Sequence, residues 1–262
     1  MKIDCIDKGR EFDFGRTSAD YVKFRNIYPK SMYDKLISFG IGKEGQQILD
    51  IGSGTAVLPI NLCQTGANFT AADISENQIA FGESFVKEHQ IKNIGFKVCP
   101  AENTEFNDNS FDVVTAVQCF HYFNAEQAAE EIKRILKPNG LFCMIFMDWL
   151  PFKDDVINDM EKLVLSYNPN WGGGGFDKYR YAYPTWAEGR FGIETIHSYD
   201  TVLEFSKESW IGRVKTCRGV GASLPEEDVL SFEREYRELL DKYDEPLKLK
   251  HQIHIEIYRT DK

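Results

Sequence analysis

At 262 residues the chain has room for one large domain, or one domain with a sizeable appendage. Its 42% hydrophobic, 27% charged and 13% aromatic residues are globular proportions, which exclude a disordered or collagen-like chain. Lys and Arg number 31 against 41 Asp and Glu, a net charge of −10 with no basic patch, so a nucleic-acid backbone would be repelled.

Met1 to Arg10 is charged and holds no apolar run, and no stretch reaches the ~18 apolar residues of a membrane span. The expectation is a cytoplasmic protein without a membrane partner. Six cysteines stand 20 or more residues apart with no C-x-x-C pair, which reads as reduced, buried thiols and no metal site.

Thr17 to Asn26 and Ser31 to Phe39 read as two short helices parted by Tyr28-Pro29, because the residue before a proline is pushed out of helical geometry. From Gln47 to Met147, short apolar runs alternate with amphipathic stretches. The runs Gln47 to Ile51, Asn68 to Asp73, Ile94 to Cys99, Phe111 to Cys119 and Leu141 to Met147 have the length of strands buried on both faces. Between them, Ser75-Glu76-Asn77-Gln78 is a capping box opening a helix toward His89. Asn124 caps another that ends at Lys137-Pro138-Asn139-Gly140. Strands alternating with helices predict the doubly wound α/β class, a parallel sheet with right-handed crossovers.

Downstream, Asp154 to Tyr167 puts Ile157, Met160 and Val164 on one helical face, and Trp171-Gly172-Gly173-Gly174-Gly175 then reads as a flexible loop. Ser223-Leu224-Pro225-Glu226 is a second capping box, for a helix reaching about Tyr243. Lys250 to Tyr258 alternates as a half-buried strand. The stretch from Trp149 to Arg218 supplies Trp149, Trp171, Trp186 and Trp210 with several Tyr and Phe, enough to line a small-molecule chamber or to form an aromatic subcore.

The strongest local signal is Asp50-Ile51-Gly52-Ser53-Gly54-Thr55-Ala56, a strand running into a small-residue loop and a helix. Glycines let the backbone approach a ligand closely and leave the helix's first amides unobstructed. Asp73 ends the next strand, 19 residues after Gly54, where a carboxylate accepts both hydroxyls of an adenosine ribose. Asp50 would repel a pyrophosphate at this loop and would welcome an amino group.

These residues resemble the first motif of the class I S-adenosylmethionine (SAM) methyltransferases, an acid followed by Gly-x-Gly. The resemblance covers Gln47 to Met147 and extends loosely to both flanks. Val98-Cys99-Pro100-Ala101-Glu102 is similar to the family's adenine-binding segment, with Pro100 in place of the usual Asp. Gln118-Cys119-Phe120-His121-Tyr122-Phe123 is similar to a segment of the trans-aconitate methyltransferase-like subgroup, and Tyr21 and Arg25 resemble that subgroup's N-terminal helix closing over the methionine end. The resemblance implies a Rossmann-like seven-stranded sheet, mostly parallel with an antiparallel last strand, helices on both faces, and SAM as cofactor. It implies a cofactor site of Tyr21, Arg25, Asp50, Gly52, Ser53, Gly54, Thr55, Asp73, Ile74, Ala101, Glu102, Gln118, Cys119 and Phe120, with no metal. His121 is the candidate general base, its reference pKa of ~6.5 suiting a phenol or amine acceptor; the alternative is a His that only shapes the pocket.

The implied organisation is one domain: an N-terminal helical segment over 1–46, a SAM-binding core over 47–147, a substrate-covering insertion over 148–220, and a final helix and strand over 221–262. The expected activity is methyl transfer to a small-molecule acceptor by a monomer or homodimer. An NAD-dependent oxidoreductase and a non-catalytic SAM-binding protein are the alternatives.

Overall fold

Short strands rich in β-branched and small apolar residues pair edge to edge. The computed structural model describes residues 2–17, 23–24 and 28–262. Among these, β1 (Gln47–Ile51), β2 (Asn68–Asp73), β3 (Ile94–Val98), β4 (Phe111–Val117), β5 (Leu136–Trp149), β6 (Phe191–Phe205) and β7 (Leu247–Thr260) form one sheet in the order β3-β2-β1-β4-β5-β7-β6. β1 pairs in parallel with β2 and β4, β2 with β3, and β4 with β5. β7 is antiparallel to both neighbours: Arg259 meets Asn139 and Glu194, while His254, earlier on β7, meets Ser198, later on β6. The strand order reverses between β1 and β4, and in such sheets a ligand crevice opens above the strand ends at that point.

Seven α-helices are described: α1 (Lys30–Ser38), α2 (Val57–Leu62), α3 (Glu76–Glu88), α4 (Ala125–Ile135), α5 (Asp155–Tyr167), α6 (Lys207–Lys215) and α7 (Glu226–Leu240). Most start on an oxygen that satisfies a first-turn amide: Ser75 accepts from the Gln78 amide, Asn124 from Gln127, Asp154 from Ile157 and Ser206 from Ser209.

Contacts group the chain into two compact units. One comprises Tyr28–Met147, Arg180–Ser198 and Ile253–Lys262. Its core sets Leu49, Ile51, Val114, Ala116, Phe142 and Met144 of the sheet with Ala128, Ala129, Ile132 and Ile135 of α4. Each Leu, Ile or Phe so buried contributes about 1.5–3 kcal/mol. The other unit comprises Met1–Ile27, Asp148–Tyr179 and Tyr199–Gln252, around Trp149, Ile157, Met160, Val164, Trp210, Phe232 and Tyr236.

Four expectations are corrected. The glycine run after Trp171 is held, with Gly172 N–H donating to the buried Asp7 at 2.7 Å and Gly175 N–H to the buried Glu161 at 2.8 Å. A Cβ on Gly173 would lie 2.4 Å from the Trp171 indole nitrogen, so the glycine there makes room for that ring. Ser223 does not cap α7: its hydroxyl donates to the Arg218 carbonyl, and Pro225 occupies the cap position without a side-chain bond. The stretch before Gly140 departs from helix at Leu136, and the β4–β5 register jumps from Phe111↔Leu136 to Val113↔Leu141, so Lys137 to Gly140 bulge out of the ladder. Finally, β7 is an interior strand between β5 and β6 that is buried on both faces over residues 251–255, where its polar side chains find partners within the protein. The helix expected over Thr17 to Asn26 falls largely outside the described residues.

Candidate active site

The loop after β1 turns on backbone conformations that side chains disfavour. Gly52 has φ +65° and Gly54 φ +55°. A Cβ on Gly52 would sit 2.8 Å from Cys119 Sγ and 3.0 Å from Phe123 Cζ. Glycine at 52 is thus favoured by its own backbone conformation and by the chain leaving β4. Gly52→Ala is expected to cost about 1–3 kcal/mol of stability through overpacking, read as a lower midpoint in urea unfolding. Ala56, at the third glycine position, is itself left-handed at φ 63° and caps α2 without a side-chain bond.

Asp73 organises this loop from the end of β2. Its Oδ2 accepts from Gly54 N–H at 2.9 Å and its Oδ1 from Ser75 N–H at 2.8 Å, while Ser53 N–H donates to the Ala72 carbonyl at 2.9 Å. Burial raises the Asp73 pKa, opposed by the amide bonds from Ser75, Gly54 and Ile74. A carboxylate has about four acceptor positions, so capacity remains for a ligand's hydroxyls. Thr55 is buried, and its carbonyl abuts Gly82 of α3.

Asp50 lies beneath the loop, 2% exposed, and accepts from Thr115 Oγ1 at 2.6 Å. Burial raises its pKa from an ordinary 3.8 to about 7; the Thr115 bond opposes this, and the charge of Asp73 adds to it. Tyr33 of α1 is buried close enough for the Asp50 charge to act on it, its pKa raised first by burial and then by that charge. The Tyr33 hydroxyl and the Ser53 hydroxyl are both buried without a protein hydrogen-bond partner. Such atoms cost about 1–3 kcal/mol each unless something meets them. A ligand bearing an ammonium group and further polar atoms supplies what this cluster lacks.

Beside it, exposed apolar groups stand at neighbouring strand ends. Ile74 is 59% and Val98 45% exposed, and Val98 pairs with Asp73 in the ladder. Ala101 is buried, and Glu102 Oε1 accepts the Asn124 amide at 2.8 Å, tying the segment after β3 to the start of α4. Glu131 braces the same segment by accepting from the Thr104 amide and hydroxyl at 2.8 and 2.5 Å.

The exit of β4 is tied to its neighbours. Gln118 is left-handed at φ 57°, its amide donates to the Ile145 carbonyl and its side-chain amide to the Met147 carbonyl. Cys119 Sγ donates to the Ile51 carbonyl at 3.1 Å, which ties the β4 exit to the end of β1, and burial raises that thiol's pKa. Phe120 packs 4.9 Å from Trp186 and 5.4 Å from Phe142. His121 is exposed, its ring 4.0 Å from Tyr122 and 6.2 Å from Phe146.

The structure therefore gathers Asp50, Gly52, Ser53, Gly54, Asp73, Cys119 and Phe120 around one loop, with Ile74 and Ala101 at the adjoining strand ends. Tyr21 and Arg25 lie outside the described residues. The sequence analysis did not name Tyr33, and it gave Val98 only as part of the segment resembling the adenine-binding one. The apolar end of the third strand was a usable signal for Val98; nothing local in α1 marks Tyr33.

A family profile described as a methyltransferase domain matches residues 49–144, from β1 into β5. The chain is 27% identical over 120 residues to the uncharacterised methyltransferase YcgJ of Bacillus subtilis, covering 45% of this chain and 47% of that protein. It is 35% identical over 106 residues to the ubiquinone/menaquinone biosynthesis C-methyltransferase UbiE of Zymomonas mobilis, covering 40% and 44%. The chain thus spans about half the length of these two curated relatives. The crystal structure of YcgJ, at 18% identity and a TM-score of 0.51, aligns over 83% of this chain and 92% of that one, a likeness of fold. The acid-and-glycine loop lies within the matched span, and residues 49–144 thereby match a methyltransferase domain of the class I SAM-dependent kind.

Proposed function

We propose that this protein methylates a small-molecule acceptor, with the residues around the β1 loop holding SAM. The observation that supports the cofactor placement is the pair of buried, unpartnered hydroxyls of Ser53 and Tyr33 near the buried Asp50 carboxyl, beside an Asp73 with acceptor capacity to spare. Asp50 and the two hydroxyls meet the amino-acid end, Asp73 the ribose, and Ile74 with Val98 the adenine face. Bound SAM supplies an electrophilic methyl on a sulfonium. The protein's task is positioning and exclusion of water: Cys119 and Gln118 fix the β4 exit, and Phe123 closes against Gly52 with Phe120 5.8 Å from its ring.

A small acceptor is favoured over nucleic acid by the net charge of −10. Among the described residues no helix is long and apolar enough to cross a membrane. Calorimetric titration with S-adenosylhomocysteine (SAH), with NADH as control, tests the cofactor assignment; NADH binding without SAH binding would replace it with the oxidoreductase reading. Product formation from SAM and a panel of phenols, amines and thiols tests catalysis.

His121, exposed beside Tyr122 and Phe146, is placed to meet an acceptor that must lose a proton. His121→Ala is expected to depress turnover at neutral pH by about 10²-fold or more, a loss that shrinks as pH rises and the acceptor ionises unaided. Turnover equal to wild type across the pH range leaves His121 a surface residue.

A further inference from the structure

Between β3 and β4 the chain runs through residues 99–110 without a helix or strand, and two carboxylates fasten it to α4. Glu102 of this connection accepts the amide of Asn124, the cap of α4, and Glu131 of α4 accepts from Thr104 of the connection. The partners stand 22 and 27 residues apart in the chain. Asn124 and Glu131 are about two helical turns from one another, so a short loop is pinned at two separate places on one helix. Cys99 and Ala101 share a core with Ala128, Ala129 and Ile132 of that helix.

Glu131 carries more of the fastening. Its Oε1 accepts the Thr104 amide at 2.8 Å, the Thr104 hydroxyl at 2.5 Å and Arg134 Nη2 at 2.8 Å, while its Oε2 accepts Arg134 Nε at 2.8 Å. Arg134 Nη1 in turn donates to Asp108 Oδ1 at 2.6 Å, further along the same connection. Glu131 is 8% and Thr104 0% exposed. Burial pushes the Glu131 pKa up, but Arg134 and Thr104 outweigh it and leave the carboxyl below its ordinary value, so it is ionised at neutral pH. Without this carboxylate the two buried Thr104 donors lose their partner, and the connection regains one only by moving.

The place of the connection gives the fastening a use. It begins directly after Val98, which pairs with Asp73 in the ladder, and the Cys99 amide donates to the Asp73 carbonyl at 3.1 Å. A purine lying on Ile74 and Val98, with its ribose at Asp73, meets residues 99–102 at its edge. Pro100 has no N–H to donate, and Glu102 brings a carboxylate. Acceptors there suit the 6-amino group of adenine and reject a 6-oxo group, which is itself an acceptor, provided the segment is held at hydrogen-bonding distance.

We propose that Glu131 is a positioning residue for purine selection in the cofactor site: by fixing Thr104 to α4 it sets the place of residues 99–102 against the adenine edge, while touching no ligand itself. This rests on the methyltransferase reading and its placement of the purine. Arg134 holds the Glu131 carboxylate in its orientation. The helix that takes up the fastening also serves the other end of the site, since Phe123, the residue before its cap, closes against Gly52.

Calorimetric titration of the wild type with SAH comes first; absence of binding sinks the methyltransferase reading, and this proposal with it. S-inosylhomocysteine, which carries a 6-oxo purine on the same ribose and amino-acid parts, is then titrated. The wild type is expected to prefer SAH by about tenfold or more, the effect of one mismatched hydrogen-bonding group. In Glu131→Ala the SAH affinity is expected to fall about tenfold and that for S-inosylhomocysteine less than about threefold, so most of the preference disappears. Glu131→Gln keeps an oxygen for Thr104 and loses the charge pairing with Arg134, and is expected to fall between the two. A general loosening of the fold would lower both affinities together and leave their ratio unchanged. Thr104→Val, which removes one of the donors at nearly the same shape, is expected to reduce the preference about threefold and serves if Glu131→Ala does not fold. An SAH-binding wild type that takes both compounds alike overturns the proposal. So does a folded Glu131→Ala or Thr104→Val whose preference equals that of the wild type.

Discussion

Asp73→Ala is expected to weaken SAH binding by roughly ten- to over a hundredfold, the ~1.5–3 kcal/mol carried by hydrogen bonds to a charged group. The carboxylate has two tasks: it offers acceptors to a ribose, and it holds the Gly54 and Ser75 amides at 2.9 and 2.8 Å. Asp73→Asn keeps one acceptor oxygen and is expected to lose less than alanine. Because burial raises the Asp73 pKa, SAH affinity should begin to fall at a pH above the usual carboxylate range as the medium is acidified. Calorimetry reads all three effects. Unchanged affinity in the alanine variant removes Asp73 from the site.

Asp50→Asn is expected to act in opposite directions on stability and on binding. A carboxyl whose folded pKa, about 7, exceeds its ordinary 3.8 binds its proton more tightly when folded. The stability it contributes is complete below pH ~4 and is lost as pH rises through 7. With a shift of about three units, the ionised group costs the ligand-free fold at most ~4 kcal/mol at pH 8. Asparagine keeps the oxygen that accepts from Thr115 and carries no charge, so the variant should melt higher than wild type at pH 8 and alike at pH 4. Its SAH affinity should drop about tenfold or more, since the charge that burdens the empty fold is the one that meets an ammonium group. Equal melting of the two proteins at pH 8 would show that Asp50 is neutral there through some other contact.

Local sequence determined a good deal of this protein. The strands over Gln47 to Ile51 and Asn68 to Asp73, the caps Ser75 and Asn124, and the helix from Asp154 that buries Ile157, Met160 and Val164 were readable because periodicity and capping act within a few residues. The spacing of Asp50, Gly52 and Asp73 located the loop for the same reason: strand, turn and strand end follow directly along the chain.

Only the tertiary structure decided what long separations bring together. The glycine run after Trp171 looked free because its anchors, Asp7 and Glu161, lie 165 and 14 residues away from the glycines they hold. Tyr33 gained its place near Asp50 through packing of α1, which nothing within α1 announces. β7 read as half-buried because Gln252, His254 and Glu256 alternate with isoleucines, and alternation reports polarity, which equals exposure only where one face meets water. In the fold both faces of β7 are covered over residues 251–255, and there Ser198 and Tyr258 satisfy His254 and Glu256. Burial of polar groups is affordable only when partners arrive from elsewhere in the chain, and the arrival of partners is a property of the fold.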